Sequence, residues 1–148
     1  MAPYLRLGDG RIPFDDGEFG FVFSNQVVEH VADLDDVVAE VARVTASGGL
    51  GLHDWPGKWR PVEPHYGAPF VHWLPKTRVR LAAMRALGCG NQYRYSVEET
   101  FYRPHWIVWQ AFDRAGFETE WVRHPKCPPL MGPAFRAVRQ VTLATRLR

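Results

Sequence analysis

Phe19-Gly20-Phe21-Val22-Phe23, followed by Ser24-Asn25-Gln26, is the stretch that decides the fold. It is continuously apolar rather than alternating, the pattern of a strand buried on both faces of a parallel sheet. Downstream, Leu34, Val37, Val38, Val41, Ala42 and Val44 recur at spacings of three and four, so a helix is predicted with Asp33 as its cap. Asp35 and Asp36 near its start suit the helix dipole. Ser47-Gly48-Gly49 is expected to end the helix, because glycine takes the left-handed conformation at a helix C-terminus. Leu50 to His53 then forms a short strand, stopped by Pro56. Upstream, Tyr4 to Leu7 is another short strand, closed by Gly8, Asp9 and Gly10. Strands separated by a helical segment point to an α/β class with a mostly parallel sheet.

The pattern changes at about residues 55–76. Pro56, Pro61, Pro64, Pro69 and Pro75 interrupt regular structure, while Trp55, Trp59, Tyr66, Phe70 and Trp73 supply aromatic bulk. A long segment of this kind is disordered or functional, and its aromatic content favours an ordered lid or substrate insert. Beyond it, Lys76 to Leu87 is expected to be a helix. Val97 to Ala115 is expected to be another, broken or bent near Pro104. Phe117 to Val122 reads as a strand, and the alternation over Gln140 to Leu147 as a last antiparallel strand. The reading is one domain over residues 1–148, carrying the insert.

Composition narrows the function. With 46% hydrophobic residues and 14% aromatics, the chain is a globular domain and not a disordered one. A formal net charge of +2 argues against a dedicated nucleic-acid binder, and no apolar run is long enough to span a membrane. Cys89 and Cys127 stand apart and outside any CxxC pair, so both are expected to be reduced, in a cytoplasmic setting.

Several segments together resemble the class I S-adenosylmethionine-dependent methyltransferase family, type 11-like. They are Gly8-Asp9-Gly10 with Ile12-Pro13-Phe14, Asp15-Asp16-Gly17-Glu18-Phe19 leading into Phe21-Val22-Phe23-Ser24-Asn25, then Glu29-His30, Glu40-Val41-Ala42-Arg43-Val44 and Gly48-Gly49-Leu50. Arg114-Ala115-Gly116-Phe117-Glu118 resembles a later step of the same fold. Gly20, where the family has an acid, and Thr45-Ala46-Ser47, where it has Leu-Lys-Pro, depart from the pattern. The resemblance implies a Rossmann-like sheet of strand order 3-2-1-4-5-7-6. It implies S-adenosyl-L-methionine as cofactor, with Asp9 and Gly10 at the adenine and Ser24, Asn25 and Gln26 beside the methionine part. The family's glycine-rich turn and ribose-binding acid would precede Tyr4. The expectation is therefore a fold truncated at the N-terminus, with strands 1 and 2 missing, and a chain that is incomplete or weakly active. The rival expectations are a non-catalytic methyltransferase-like partner subunit and a decayed gene product.

Methyl transfer is an in-line displacement at a sulfonium carbon, so the protein positions the acceptor and, where needed, removes its proton. Polar groups near the carboxyl ends of the strands are the candidates: His53, Glu29 and His30 for catalysis, and His65, His72 and Trp73 of the insert for contact with a small-molecule acceptor. No metal site is expected, since His53, Asp54, Glu63, His65 and His72 match no compact ligand signature. An apolar strand left at the edge of the sheet would be covered by a homo- or hetero-oligomeric partner. On this reading the isolated chain is marginally folded or associates, so its melting temperature rises with protein concentration; a sharp, concentration-independent melt of a monomer overturns that expectation.

Overall fold

Helix α1 (Leu34–Val44) is nucleated as the sequence foretells, with the Asp33 carboxylate accepting from the Asp36 backbone N–H. Its apolar stripe places Leu34, Val38, Ala42 and Val44 in the interior. The computed structural model describes residues 10–123 and 139–146; the expected strand at Tyr4–Leu7 and Asp9 lie outside them. Four strands form one sheet: β1 (Phe19–Asn25), β2 (Thr45–Pro56), β3 (Phe117–Arg123) and β4 (Arg139–Arg146), in the order β1-β2-β4-β3. β1 and β2 are parallel, and β4 runs antiparallel between β2 and β3. Three of the four strands therefore share a direction. The order is that of strands 4-5-7-6 in the resemblance.

Three sequence expectations are refined. The α1 helix does not end at Ser47-Gly48-Gly49. It ends at Val44, and Thr45 already has extended backbone and pairs with Phe19. The glycines lie inside β2 as a bulge: Phe19 faces Thr45 and Phe21 faces Leu50, so the partner strand carries three extra residues. Gly48 takes φ +75°, and a Cβ on Gly49 would sit 2.8 Å from the Ala46 carbonyl oxygen. Secondly, Val97 to Ala115 is not one helix. Tyr93–Glu98 (α3) and His105–Arg114 (α4) are separate, with Pro104 at the N-cap of α4, where its missing N–H costs nothing. Helix α2 spans Arg78–Ala86.

Thirdly, among the described residues β1 is not clad on both faces. Helices α1 and α4 cover one face, with Val28, Leu34, Val38, Ala42, Trp55, Val108, Ala111, Phe112 and Phe117 forming the main core. On the other face Phe21 is 55% exposed and Phe23 58%, with Leu50 beside them. The insert is ordered. Ala68, Val71 and Met84 build a second core, flanked by Tyr66, Cys89 and Tyr93, so residues after β2 are packed down by α2.

The difference between the faces is measurable by urea unfolding. Phe112→Ala, which empties a fully buried site, should cost about 3–5 kcal/mol. Phe23→Ser should shift stability by less than about 0.5 kcal/mol.

Candidate functional site at the carboxyl ends of β1 and β2

Parallel pairing puts Ser24 beside His53 and Asn25 beside Asp54. Ser24 Oγ lies 2.7 Å from His53 Nδ1. The chain then turns at Gln26, whose φ of +57° is a left-handed conformation in a residue that is not glycine, and its N–H donates to the Asp54 carbonyl at 2.8 Å. A strained turn at the carboxyl end of a parallel strand is where open α/β sheets bind ligands. Asn25 is exposed at this rim.

His53, a candidate base, faces the helices. It is 1% exposed, its ring is 4.6 Å from that of Phe112, and its Nε2 has no hydrogen-bond partner. Burial pulls its pKa down to about 4, so the ring is neutral near pH 7. Among the described residues its ring's one polar contact is with Ser24, which makes it a support for the β1 end.

The other candidates meet. Glu29 and His30 sit in a single 3₁₀ turn (Val28–His30) directly after β1. Glu29 is 1% exposed, and neither carboxylate oxygen is hydrogen-bonded. Burial raises its pKa, offset in part by its own backbone N–H and by His30 and His65. His30 Nδ1 donates to the Glu99 carbonyl at 2.7 Å, and its Nε2 is 4.0 Å from Glu29 Oε1. From the insert, His65 brings its ring to 5.1 Å from that of His30. Tyr95 packs against both rings.

Glu63, fully buried, organises this corner. It accepts from the backbone N–H groups of His65 (2.7 Å) and Tyr66 (2.8 Å), from His65 Nδ1 (2.6 Å) and from the Tyr102 hydroxyl. Burial, then the bond to Glu63, holds the Tyr102 phenol far above its ordinary range. Sequence reasoning named neither Tyr102 nor Glu63 as a site residue. A single acid flanked by prolines and aromatics, with one of its four donors 39 positions away, leaves no local signal.

His72 and Trp73 lie in the 3₁₀ turn Val71–Trp73, and the His72 ring packs 5.0 Å from that of Tyr102. Both reach the Lys58 carbonyl, His72 Nε2 at 3.1 Å and Trp73 Nε1 at 2.8 Å. Burial lowers the His72 pKa. Together with Lys76, Arg80, Phe101 and Arg103 they line an open cleft of about 410 Å³. Two of its cations are tied to backbone: Lys76 Nζ donates to the carbonyls of Val97 and Thr100, and Arg103 to those of Val28 and Ala32. Gly10, at φ +79°, opens onto a different cleft, whose other walls are Arg11 and the α1 residues Asp36, Ala39, Glu40 and Arg43.

Residues 3–52 match the methyltransferase domain family, covering the strand, helix and bulge described above. Over that segment the chain is similar to the methyltransferase domain family. The chain is 39% identical over 74 residues to a demethylmenaquinone methyltransferase from a Parafrankia species, across 48% of its own length and 29% of that protein's. Among solved structures, an S-adenosylmethionine-dependent methyltransferase from Aquifex aeolicus shares the fold, with a TM-score of 0.57 and 15% identity over 98% of this chain and 55% of that one. So does Haemonchus contortus phosphoethanolamine N-methyltransferase 2 in complex with S-adenosyl-L-methionine, at a TM-score of 0.52 and 12% identity over 91% and 35% of the two chains. The chain thus spans about a third to two thirds of the length of such relatives.

The buried His53 has a pH signature. Its pKa is lower in the folded state than its usual 6.5 in the unfolded chain, so its share of stability is complete above pH 6.5 and drains as pH falls towards 4. Across that window the loss is about 3 kcal/mol. Urea unfolding at pH 7 and pH 5 should therefore show a steeper acid loss in the parent than in His53→Asn.

Proposed function

We propose that this chain transfers a methyl group from S-adenosyl-L-methionine to a planar, apolar small-molecule acceptor. The observation that carries the proposal is the polar turn Ser24-Asn25-Gln26 at the carboxyl end of β1, parallel to β2, within the segment that matches the methyltransferase domain. The cofactor supplies the methyl group on a sulfonium centre. Asn25, with its exposed amide, and Gln26 fit the amino-acid end of that molecule, and Gly10 with Asp9 is assigned to the adenine. His53 acts through Ser24 as a positioning residue. When no cation is bound there, His30 Nε2 takes the acceptor's proton, with Glu29 beside it.

The acceptor side is argued from the insert. His65 packs on His30 in the turn after β1, His72 and Trp73 reach the Lys58 carbonyl just after β2, and Trp59, Phe70 and Trp73 pack as an aromatic group. The named substrate of the Parafrankia relative, a demethylated quinone, has the planar, apolar character such walls favour. A second reading, a non-catalytic partner subunit, rests on one observation: the exposed apolar patch of Phe21, Phe23 and Leu50.

Calorimetric titration of the full chain with S-adenosylhomocysteine separates the two. Binding is expected, and Asn25→Ala should weaken it about tenfold, the equivalent of one lost hydrogen bond. No heat at millimolar ligand removes the enzyme reading and leaves the partner reading.

A further inference from the structure

We propose that Glu29, His30 and His65 form a binding site for a first-row divalent cation, with zinc the best fit. One donor atom from each residue lies within 4.8 Å of the other two. The inference concerns the cluster alone and does not depend on methyl transfer.

The first argument is the state of Glu29. A carboxylate buried to 1% exposure, with both oxygens lacking hydrogen bonds, is costly unless something positive compensates it. His30 Nε2 stands 4.0 Å from Glu29 Oε1, too far to be a hydrogen bond. A cation between them supplies the missing partner.

The second argument is the state of the two rings. A carbonyl oxygen only accepts, so His30 Nδ1 must carry the proton it donates to Glu99, which leaves a lone pair on Nε2. The Glu63 carboxylate fixes His65 in the same way by accepting from Nδ1, leaving Nε2 as the open donor atom. An imidazole whose second nitrogen is held by a carboxylate or a backbone carbonyl is the arrangement that orients metal-binding histidines. Here both rings have it. Each element contributes one part: the turn after β1 gives Glu29 and His30, the insert gives His65, and Glu63 and Glu99 hold the rings from behind.

The third argument is access and chemistry. Glu29 is buried, whereas the His30 and His65 side chains are 34% and 24% exposed, so the cluster has one closed and one open side. Two imidazoles and one carboxylate suit zinc, leaving a fourth position for water or a bound ligand. In a tetrahedral site with such bonds, donor atoms stand ~3.3 Å apart. The cluster closes on the ion through small side-chain rotations.

The test uses the purified full chain, stripped with a chelator and titrated with Zn²⁺ by calorimetry, then with Co²⁺ followed by visible absorption. One equivalent should bind, and Co²⁺ should give the intense visible bands of a tetrahedral N/O site. Glu29→Gln, which preserves side-chain volume, and His65→Ala should each weaken binding by at least ~10-fold, as loss of one ligand demands. His105→Ala, outside the cluster, should leave it unchanged. Saturating Zn²⁺ should raise the melting temperature of the parent and not that of Glu29→Gln. No binding, or binding of equal strength in Glu29→Gln with its circular dichroism intact, overturns the proposal. If His65→Ala fails to fold, Glu29→Gln alone decides.

Discussion

A carboxylate sealed from water must find its donors inside the protein, and Glu63 finds four. That requirement shapes the functional end of the molecule. Its partners come from its own turn, at His65 and Tyr66, and from Tyr102, which stands between α3 and α4. Satisfying one buried charge therefore ties the proline-rich insert to the segment after α3. His65 is the residue that inherits the result, since its ring is held by the same oxygen that accepts from Tyr102. Without that tether, a segment with five prolines would have no regular backbone ladder to hold a ring in place.

The sheet supplies the complementary half. β2 is its spine, parallel to β1 on one side and antiparallel to β4 on the other. The parallel side brings Ser24, Asn25, His53 and Asp54 to one rim, and the short turn after β1 carries Glu29 and His30 on to meet the insert. The Phe101 backbone N–H donates to the Glu29 carbonyl at 2.6 Å and pins that turn to the chain entering α4. Polar residues thus gather where three segments converge, and hydrophobic packing lies beneath them, in the core around Phe112 and Trp55.

The elements were legible in the sequence where a single residue type has a single meaning. Asp33 before an apolar stripe gave the start of α1, and alternation near the C-terminus gave the antiparallel strand. Gly48 misled because a positive φ serves a helix end and a strand bulge equally well, and the sequence does not say which. Phe21 and Phe23 misled because an apolar run reports what a strand can bury, not how many faces are covered among its neighbours. Glu29, His30, His53, His65, His72 and Trp73 were all readable as polar or aromatic candidates. Their division was not. His65 joined Glu29 and His30 across more than thirty positions, while His72 and Trp73 turned to the Lys58 carbonyl. Side-chain convergence of that kind is set by tertiary folding and carries no spacing rule.

The bulge in β2 sets the phase of the whole strand. Thr45 and Leu50 face residues of β1 that are two apart, yet are themselves five apart, so the alternation of inward and outward side chains is inverted across Ala46 to Gly49. His53 and Trp55 point at the helices because of that inversion. A strand that slid by one residue would send Leu52 and Asp54 towards Phe112 and leave an indole and an imidazole in solvent. The small loop beside Gly49, far from any reactive group, thereby fixes which chemistry the opposite end of the strand can present.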